Sequence, residues 1–227
     1  MADSNGLRPI FTPRATAAVL SQSSLFGQNP KIWCQEFNDL QTPKLSKKQL
    51  CDRTPYGTVL QGWALAQQGQ WEEAIARMRR GYAAWRATGA EVDVPYFLVL
   101  LAEAYGKVGQ VEEGLELLAE AAVVVDKGER YWEAELYRLK GELLLARSAD
   151  TQAEVEICLH QALDIARRQQ AKSLELRAAM SLSRLWQRQE KRAEAHALLA
   201  PIYGWFTEGF DTADLKEAKA LLEELAG

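Results

Sequence analysis

The sequence predicts an all-α protein, a right-handed α-solenoid of about four long helix hairpins that a C-terminal helix completes. The main observation is a repeated string, because Gly69 begins the sequence GQWEE and Gly109 begins GQVEE, 40 residues later (109 − 69). A fixed period between about 20 and 50 residues is typical of stacked-repeat proteins. Each copy indicates a helix end, a tight turn at the glycine and the start of an antiparallel helix.

Small residues recur at nearly the same pitch. One lies on the first helix of every predicted hairpin, at Gly62, Ala102, Gly141 and Ser183. A second set follows 19 or 21 positions later on the second helices, at Gly81, Ala121, Ala162 and Ile202. Two helices approach closely only where side chains are short. We therefore expect each first-helix residue to face its follower where the two helices cross.

The apolar periodicity between these positions predicts the helix bounds. The four hairpins are predicted at about 55–68 with 71–87, 94–107 with 111–126, 131–146 with 152–168, and 173–189 with 192–206. Thr54 before Pro55 is a typical helix start, and Pro201 is expected to kink the last of these helices. A final helix after Asp211 and Thr212 is predicted to cover the end of the stack with the stripe Leu215, Ala218, Leu222 and Leu225.

Residues 1–53 differ in character from the rest of the chain. They contain four of the seven prolines and carry a net charge of +3. Residues 54–227 carry a net charge of −7, so the total is −4. Proline ends or kinks helices, so only short helices, at about 15–20 and 32–40, fit between them. We predict a non-repeat segment at 1–53, partly disordered or in short helices, and a repeat domain at 54–227.

Composition argues against several classes of protein. A net charge of −4 does not favour nucleic-acid binding, which usually requires a basic face. The longest apolar-rich stretch, Tyr96 to Leu101, is too short for a membrane span. Three cysteines without CxxC spacing fit a reducing compartment, and the first residues lack the layout of a secretory signal. We expect a cytoplasmic protein, although the acid-poor segment from Arg8 to Gln28 leaves an organelle transit peptide as an alternative.

The sequence offers no recognisable catalytic constellation. Gly109 and Gly114 have the spacing of two phosphate-loop glycines, but Leu115 and Glu116 stand where that motif needs lysine and a hydroxyl residue. The two histidines, at 160 and 196, have no partner at metal-ligand spacing. Acidic pairs such as the one at Glu112 lie at helix starts, where they favour the helix dipole. We therefore expect no enzymatic activity, no cofactor and no metal.

The first helices of stacked hairpins line a concave groove, where such proteins usually bind partners. Helical spacing predicts that this groove is lined by Trp63, Gln67, Tyr96, Glu103, Lys107, Glu135, Arg138, Glu142, Arg177, Arg184 and Arg188. The set changes from aromatic through acidic to basic along the chain, which suits a peptide or a partner helix of mixed charge. The alternative for the basic residues between 167 and 192 is a solvated face. A homodimer also remains an open interpretation.

The placed residues resemble a known family. Gly62, Leu65, Trp71 and Ala74, with their counterparts in the later hairpins, are similar to the small, aromatic and alanine positions of the tetratricopeptide repeat. The pitch near 40 resembles the extended variants of that repeat in large bacterial signalling proteins.

A narrower resemblance covers residues 57–226, which look like the C-terminal helical region of bacterial predicted ATPases. These multidomain proteins join a nucleotide-binding module to an adenylate-cyclase-like or transcription-regulator-like domain. The similar strings begin at Gly62 (GWALA), Pro95 (PYFL), Glu133 (EAELYRLKGELL) and Tyr203 (YGWFTEGFD). The resemblance implies a scaffold without the catalytic parts, in bacterial signalling or regulation. The alternatives are a small-molecule sensor and a remnant of a larger ATPase or cyclase.

Overall fold

A computed structural model describes residues 54–227, so the predictions for residues 1–53 lie outside the described residues. The described part is all-α, which confirms the predicted class there, and it contains no strand. Its helices are α1 (Pro55–Ala66), α2 (Trp71–Ala87), α3 (Val94–Lys107), α4 (Val111–Asp126), α5 (Glu133–Arg147), α6 (Gln152–Arg168), α7 (Lys172–Arg188), α8 (Arg192–Tyr203) and α9 (Ala213–Ala226). None of these helices has the length and apolar character needed to cross a membrane.

The helix starts follow from local chemistry. Oγ1 of Thr54 accepts a hydrogen bond from the N–H of Gly57 at 3.0 Å, and Thr212 caps α9 in the same way. Acidic residues occupy the first turns of α2 and α4, where they complement the helix dipole. The predicted bounds differ by two or three residues at three ends, because α1 ends at Ala66, α5 begins at Glu133 and α8 ends at Tyr203. Pro201 lies inside α8, two residues before its end.

The predicted pairing of small residues is wrong by one turn or more. A Cβ atom on Gly62 would lie 2.8 Å from the carbonyl oxygen of Ala74, whereas one on Gly81 would lie 2.7 Å from Val59. Gly62 and Gly81 therefore do not face each other, although both lie where α1 and α2 approach closely. Facing residues of an antiparallel pair move apart in sequence as they leave the turn. Gly62 meets residues 12 and 16 positions away and Gly81 meets residues 22 and 26 positions away, so the predicted separation of 19 lies between two separate contacts.

Close contacts between residues 12 positions apart occur in three hairpins. Gly62 lies against Ala74 and also against Met78, and a Cβ atom on Gly114 would lie 3.1 Å from the carbonyl oxygen of Ala102. In the fourth hairpin, Oγ of Ser183 donates a hydrogen bond to the carbonyl oxygen of Ala195 at 3.2 Å. The third hairpin differs, because Gly141 packs against Cys158 and Leu159 rather than Ala162. Its longer turn contains a 3-10 helix, Ala149–Thr151.

The turns within the first, second and fourth hairpins share one geometry. Gly69 and Gly109 have φ of 79° and 78°, and the next residue donates its N–H to a carbonyl of the preceding helix in both cases. Glu190 takes the same role between α7 and α8 with φ of 62°. Positive φ costs a residue with a side chain more than it costs glycine. The fourth hairpin therefore has a strained turn where the first two have relaxed ones.

The hairpins pack in chain order through their first helices. We use the name first-helix row for α1, α3, α5, α7 and α9, because each of these helices contacts the next one in the series. Contacts between α5 and α7 join Glu135 to Arg177 and Glu142 to Ser181, so residue numbers rise together and the two helices run parallel. The second helices α2, α4, α6 and α8 pack behind this row.

A continuous apolar core joins neighbouring hairpins. Tyr56, Trp85 and Phe97 contact one another edge to face with ring centroids 5.1–5.7 Å apart, and they join the first hairpin to the second. At the other end, α9 buries its apolar side against the fourth hairpin, as predicted. The buried stripe contains Leu221 in place of the predicted Leu222, which is partly buried.

Candidate functional site

The predicted groove residues belong to the first-helix row, except Gln67, which directly follows α1, and they differ widely in exposure. Gln67, Lys107 and Arg188 are exposed, whereas Tyr96, Glu135 and Arg138 are buried. The others are partly buried: Trp63, Glu103, Glu142, Arg177 and Arg184. The sequence placed these residues on the correct helices, while their accessibility depends on how tightly neighbouring first helices pack.

Tyr96 belongs to the core and not to an accessible groove. Its side chain is only 6% exposed, and its ring stacks on Trp132 with centroids 4.3 Å apart and planes at 17°. Burial raises the pKa of its hydroxyl above the ordinary value. Trp63 is half-buried against the same apolar cluster. The prediction of an accessible aromatic surface at Tyr96 is therefore wrong.

Glu135 on α5 lies at the centre of a buried ion network. Its two carboxylate oxygens accept hydrogen bonds from Arg138 at 2.8 Å each, and Oε1 also lies 2.7 Å from Nη1 of Arg177 on α7. Burial raises the pKa of this carboxyl, but the two guanidinium groups outweigh burial and hold the pKa at about 2. Three of the predicted residues thus form an internal contact between the third and fourth hairpins.

The network reaches solvent through Glu142 and Ser181. Oγ of Ser181 donates to Oε1 of Glu142 at 2.7 Å, and Nη1 of Arg138 lies 2.5 Å from the same oxygen. Burial raises the pKa of Glu142, but Arg138 and the hydrogen bond from Ser181 outweigh it and the pKa is lowered. The Glu142 side chain is 40% exposed, so its carboxylate is the accessible edge of the network.

Asp214 extends the charged region onto α9. Burial raises the pKa of its carboxyl, while the positive charge of Arg177 acts in the opposite direction. The sequence predicts α9 only as a cap for the stack. Its contribution could have been expected from the acidic residues at 214, 217 and 224, which recur at helical spacing beside the apolar stripe.

A cleft of about 440 Å³ lies between α7 and α9. Its walls are Arg184, Gln187 and Arg188 from α7 and Glu217, Ala220, Leu221 and Glu224 from α9. Nη2 of Arg184 lies 3.0 Å from Oε2 of Glu217, in a pair that is largely exposed. Within residues 54–227, Arg188 is exposed and takes part in no hydrogen bond or ion pair, so its charge is available to a ligand.

The second helices do not gather metal-binding or nucleophilic groups in the described part of the chain. No group of three or more potential metal-binding side chains occurs between residues 54 and 227. Nε2 of His160 lies 3.9 Å from Glu156, and its ring lies near Trp186. Cys158 is buried, and burial raises the pKa of its thiol. Polar contacts between neighbouring hairpins occur on the second helices as well, since the hydroxyl of Tyr82 on α2 donates a hydrogen bond to Oε1 of Glu120 on α4 at 2.6 Å.

No family model matches the chain. Among curated proteins, the chain is 33% identical over 131 residues to an uncharacterized protein of Rhizobium meliloti (strain 1021). That match covers 56% of this chain and 12% of the relative, so the chain corresponds to about an eighth of the relative's length.

Proposed function

We propose that residues 54–227 are a non-enzymatic helical-repeat scaffold that binds another protein, or another domain, through the first-helix row. The fold we propose is the right-handed solenoid of tetratricopeptide-like hairpins, acting in bacterial signalling or regulation in the cytoplasm. The observation that carries this proposal is the uninterrupted series of contacts from α1 to α9 among parallel first helices. Stacked hairpins of this kind present one extended face to a partner.

Two further features support this face as the binding surface. Exposed charges occur at separate points along it, at Lys107 on α3 and Arg188 on α7, with the edge of the ion network at Glu142 between them. The buried pairs around Glu135 fix α5 against α7, so the surface is rigid before a partner arrives. A preorganised surface loses little conformational entropy on binding.

Site-specific photo-crosslinking in cells that make the protein tests this proposal. A photoreactive amino acid replaces Lys107 or Arg188 on the first-helix row, and Val123 or Ile157 on the second helices serves as the control. Both control side chains are exposed, at 57% and 66%. We expect one discrete crosslinked protein from the first-helix positions and none from the control positions. Equal crosslinking from all four positions would contradict the proposal.

One observation favours a second candidate function, the sensing of a small molecule. The cleft between α7 and α9 has a volume of about 440 Å³, within the usual range for small-ligand sites. A screen of metabolites by thermal shift separates the candidates, because a ligand that binds only the folded state raises the melting temperature. The third interpretation, a remnant of a larger ATPase or cyclase, predicts neither a crosslinked partner nor a stabilising metabolite.

A further inference from the structure

One face of α7 carries four polar residues that are paired to different extents. Arg177, Ser181, Arg184 and Arg188 follow one another at intervals of four, three and four positions, so they share a face of the helix. Arg177 and Ser181 are joined to α5 through Glu135 and Glu142. Arg184 is joined to α9 by an exposed pair, and Arg188 is unpaired within the described chain.

The contacts on the two sides of α7 therefore differ. Toward α5, guanidinium and carboxylate groups meet in a buried network, and Arg138 fills the space between the helices with a side chain that is 6% exposed. Toward α9, the same kinds of groups line an open cleft, and the side chains of Arg184 and Glu217 are 42% and 59% exposed. The cleft lacks the inserted side chain that completes the first interface.

The two walls of the cleft carry opposite charges. Arg184 and Arg188 give the α7 wall a charge of +2, and Glu217 and Glu224 give the α9 wall a charge of −2. Ala220 is exposed between the acidic residues and provides apolar surface for the stem of a long side chain, whereas Leu221 behind it is buried in the core. A ligand that fits both walls has a carboxylate and a cationic group at separate positions.

We propose that this cleft binds a helical segment of a partner protein whose exposed face carries both acidic and basic side chains. The partner carboxylate pairs with Arg184 and Arg188, while the partner cation pairs with Glu217 and Glu224. This inference rests on the proposed function and assigns it a particular place and chemistry.

Two exposed contacts already cross the cleft, because Arg184 pairs with Glu217 and Nε2 of Gln187 donates to Oε2 of Glu224 at 3.4 Å. An exposed ion pair such as Arg184 with Glu217 contributes little to stability, so an incoming carboxylate and cation can replace it without loss of charge balance. A phosphate group fits less well, because its second negative charge would lie close to Glu217 and Glu224. The opposed walls thus favour a segment of mixed charge over a purely anionic one.

Nuclear magnetic resonance of the full-length, isotope-labelled chain tests the proposal with defined probes. The first probe is an alanine-based helical peptide of roughly 15 residues with glutamate and lysine at positions four apart. Two matched peptides replace every lysine or every glutamate with glutamine, and free glutamate with free lysine forms a further probe. We expect the mixed-charge peptide to shift the amide signals of residues 184–188 and 217–224 and to bind more tightly than the other probes.

Two pairs of substitutions make the result specific. Arg184→Gln with Arg188→Gln is expected to weaken binding of the mixed-charge peptide roughly tenfold. Arg80→Gln with Arg168→Gln removes the same charge from exposed positions on second helices and is expected to leave the affinity unchanged. The melting temperatures of both variants establish that each one folds.

Several results would overturn the proposed binding of a mixed-charge segment in the cleft. Equal binding of the acidic peptide overturns the mixed-charge assignment, and equal binding of the free amino acids shows a small-molecule site instead. Unlocalised signal changes, or equal weakening in the second-helix variant, overturn the cleft as a site. If the cleft fails while crosslinks from Lys107 persist, the proposed function stands and only this inference fails.

Discussion

Glu135 on α5 and Arg177 on α7 are joined by an ion pair with 2.7 Å between Oε1 and Nη1. The same carboxylate accepts two hydrogen bonds from Arg138, so one buried group is shared by two cations. Removing one member of a buried pair leaves an uncompensated charge away from water. The register between the third and fourth hairpins therefore depends on a residue that the sequence places on a binding surface.

Substitution of Glu135 tests this structural role. Glu135→Gln is expected to destabilise the protein by about 3 kcal/mol at neutral pH, because Arg177 loses its ion pair and Arg138 keeps only Glu142 as a counter-charge. Denaturant unfolding of the full chain measures the change. Glu116→Gln, at an exposed position on α4, is the control and is expected to change stability by less than about 0.5 kcal/mol.

The effect of Glu135 also depends on pH in a defined direction. The pKa of Glu135 is about 2 in the folded protein, below the ordinary value of 4.5. The contribution of ionised Glu135 to the stability of the protein is therefore complete above pH 4.5 and is lost as pH falls toward 2. The stability difference between the parent chain and Glu135→Gln should shrink in that range. A difference that stays constant from pH 7 to pH 3 contradicts the assignment.

Gly81 tests the close approach of α1 and α2. A Cβ atom there would lie 2.7 Å from backbone N of Val59 and 2.8 Å from the carbonyl oxygen of Pro55, so neither neighbour can rotate away. We expect Gly81→Leu to cost about 1–3 kcal/mol or more by overpacking. At Gly106, the atom nearest a Cβ is a methyl group of Leu143, which can move. Gly106→Ala is therefore the control, and an unchanged denaturation midpoint in Gly81→Leu refutes the packing argument.

The turn at Glu190 offers a stabilising substitution. Glu190 has φ of 62°, whereas the equivalent turns at 69 and 109 have glycine. Glu190→Gly relieves the backbone strain, but glycine also has greater freedom in the unfolded chain. The net increase in the free energy of unfolding should be about 0.5–1 kcal/mol. A melting temperature about 2–4 °C higher is the expected result. Gly109→Ala should move the melting temperature in the opposite direction, and a lower value for Glu190→Gly contradicts the prediction.

Burial of Asp93 leads us to expect a second pH dependence of stability, opposite in sign to that of Glu135. Burial raises the pKa of Asp93 to about 6, and its backbone N–H donates to Glu129, whose pKa burial raises to about 7. The titratable groups that face this pair are the carboxyl group of Glu91 and the hydroxyls of Tyr56 and Tyr96. The folded state binds more protons than the unfolded state between about pH 4 and 7, so stability falls as pH rises through that range.

Asp93→Asn isolates this effect. Asparagine keeps the shape of the side chain, removes the buried charge and tolerates the φ of 62° at this position. We expect Asp93→Asn to increase the free energy of unfolding by about 1–2 kcal/mol at pH 8, and we expect this increase to disappear near pH 4. Unfolding in denaturant at both pH values measures it. A gain of equal size at both values would indicate a backbone effect and not the loss of a buried charge.

The repeat pattern predicted the helices closely because turn chemistry and apolar periodicity act over a few residues. Gly69 and Gly109 required positive φ, and Thr54 and Thr212 capped helices as their positions suggested. The facing residues were placed incorrectly because a crossing point depends on the contact between two helices. Spacing along one chain does not determine how far from the turn two helices come closest.

The sequence by itself determined which residues lie on first helices, since a period of 3.6 residues fixes the face of each one. The tertiary structure alone decided which of these residues remain accessible. Tyr96, Glu135 and Arg138 are buried because neighbouring first helices pack closely at α3, α5 and α7, whereas the space between α7 and α9 leaves Arg188 exposed. Accessibility depends on the distance between helices that are about forty residues apart in the chain, and local sequence does not encode that distance.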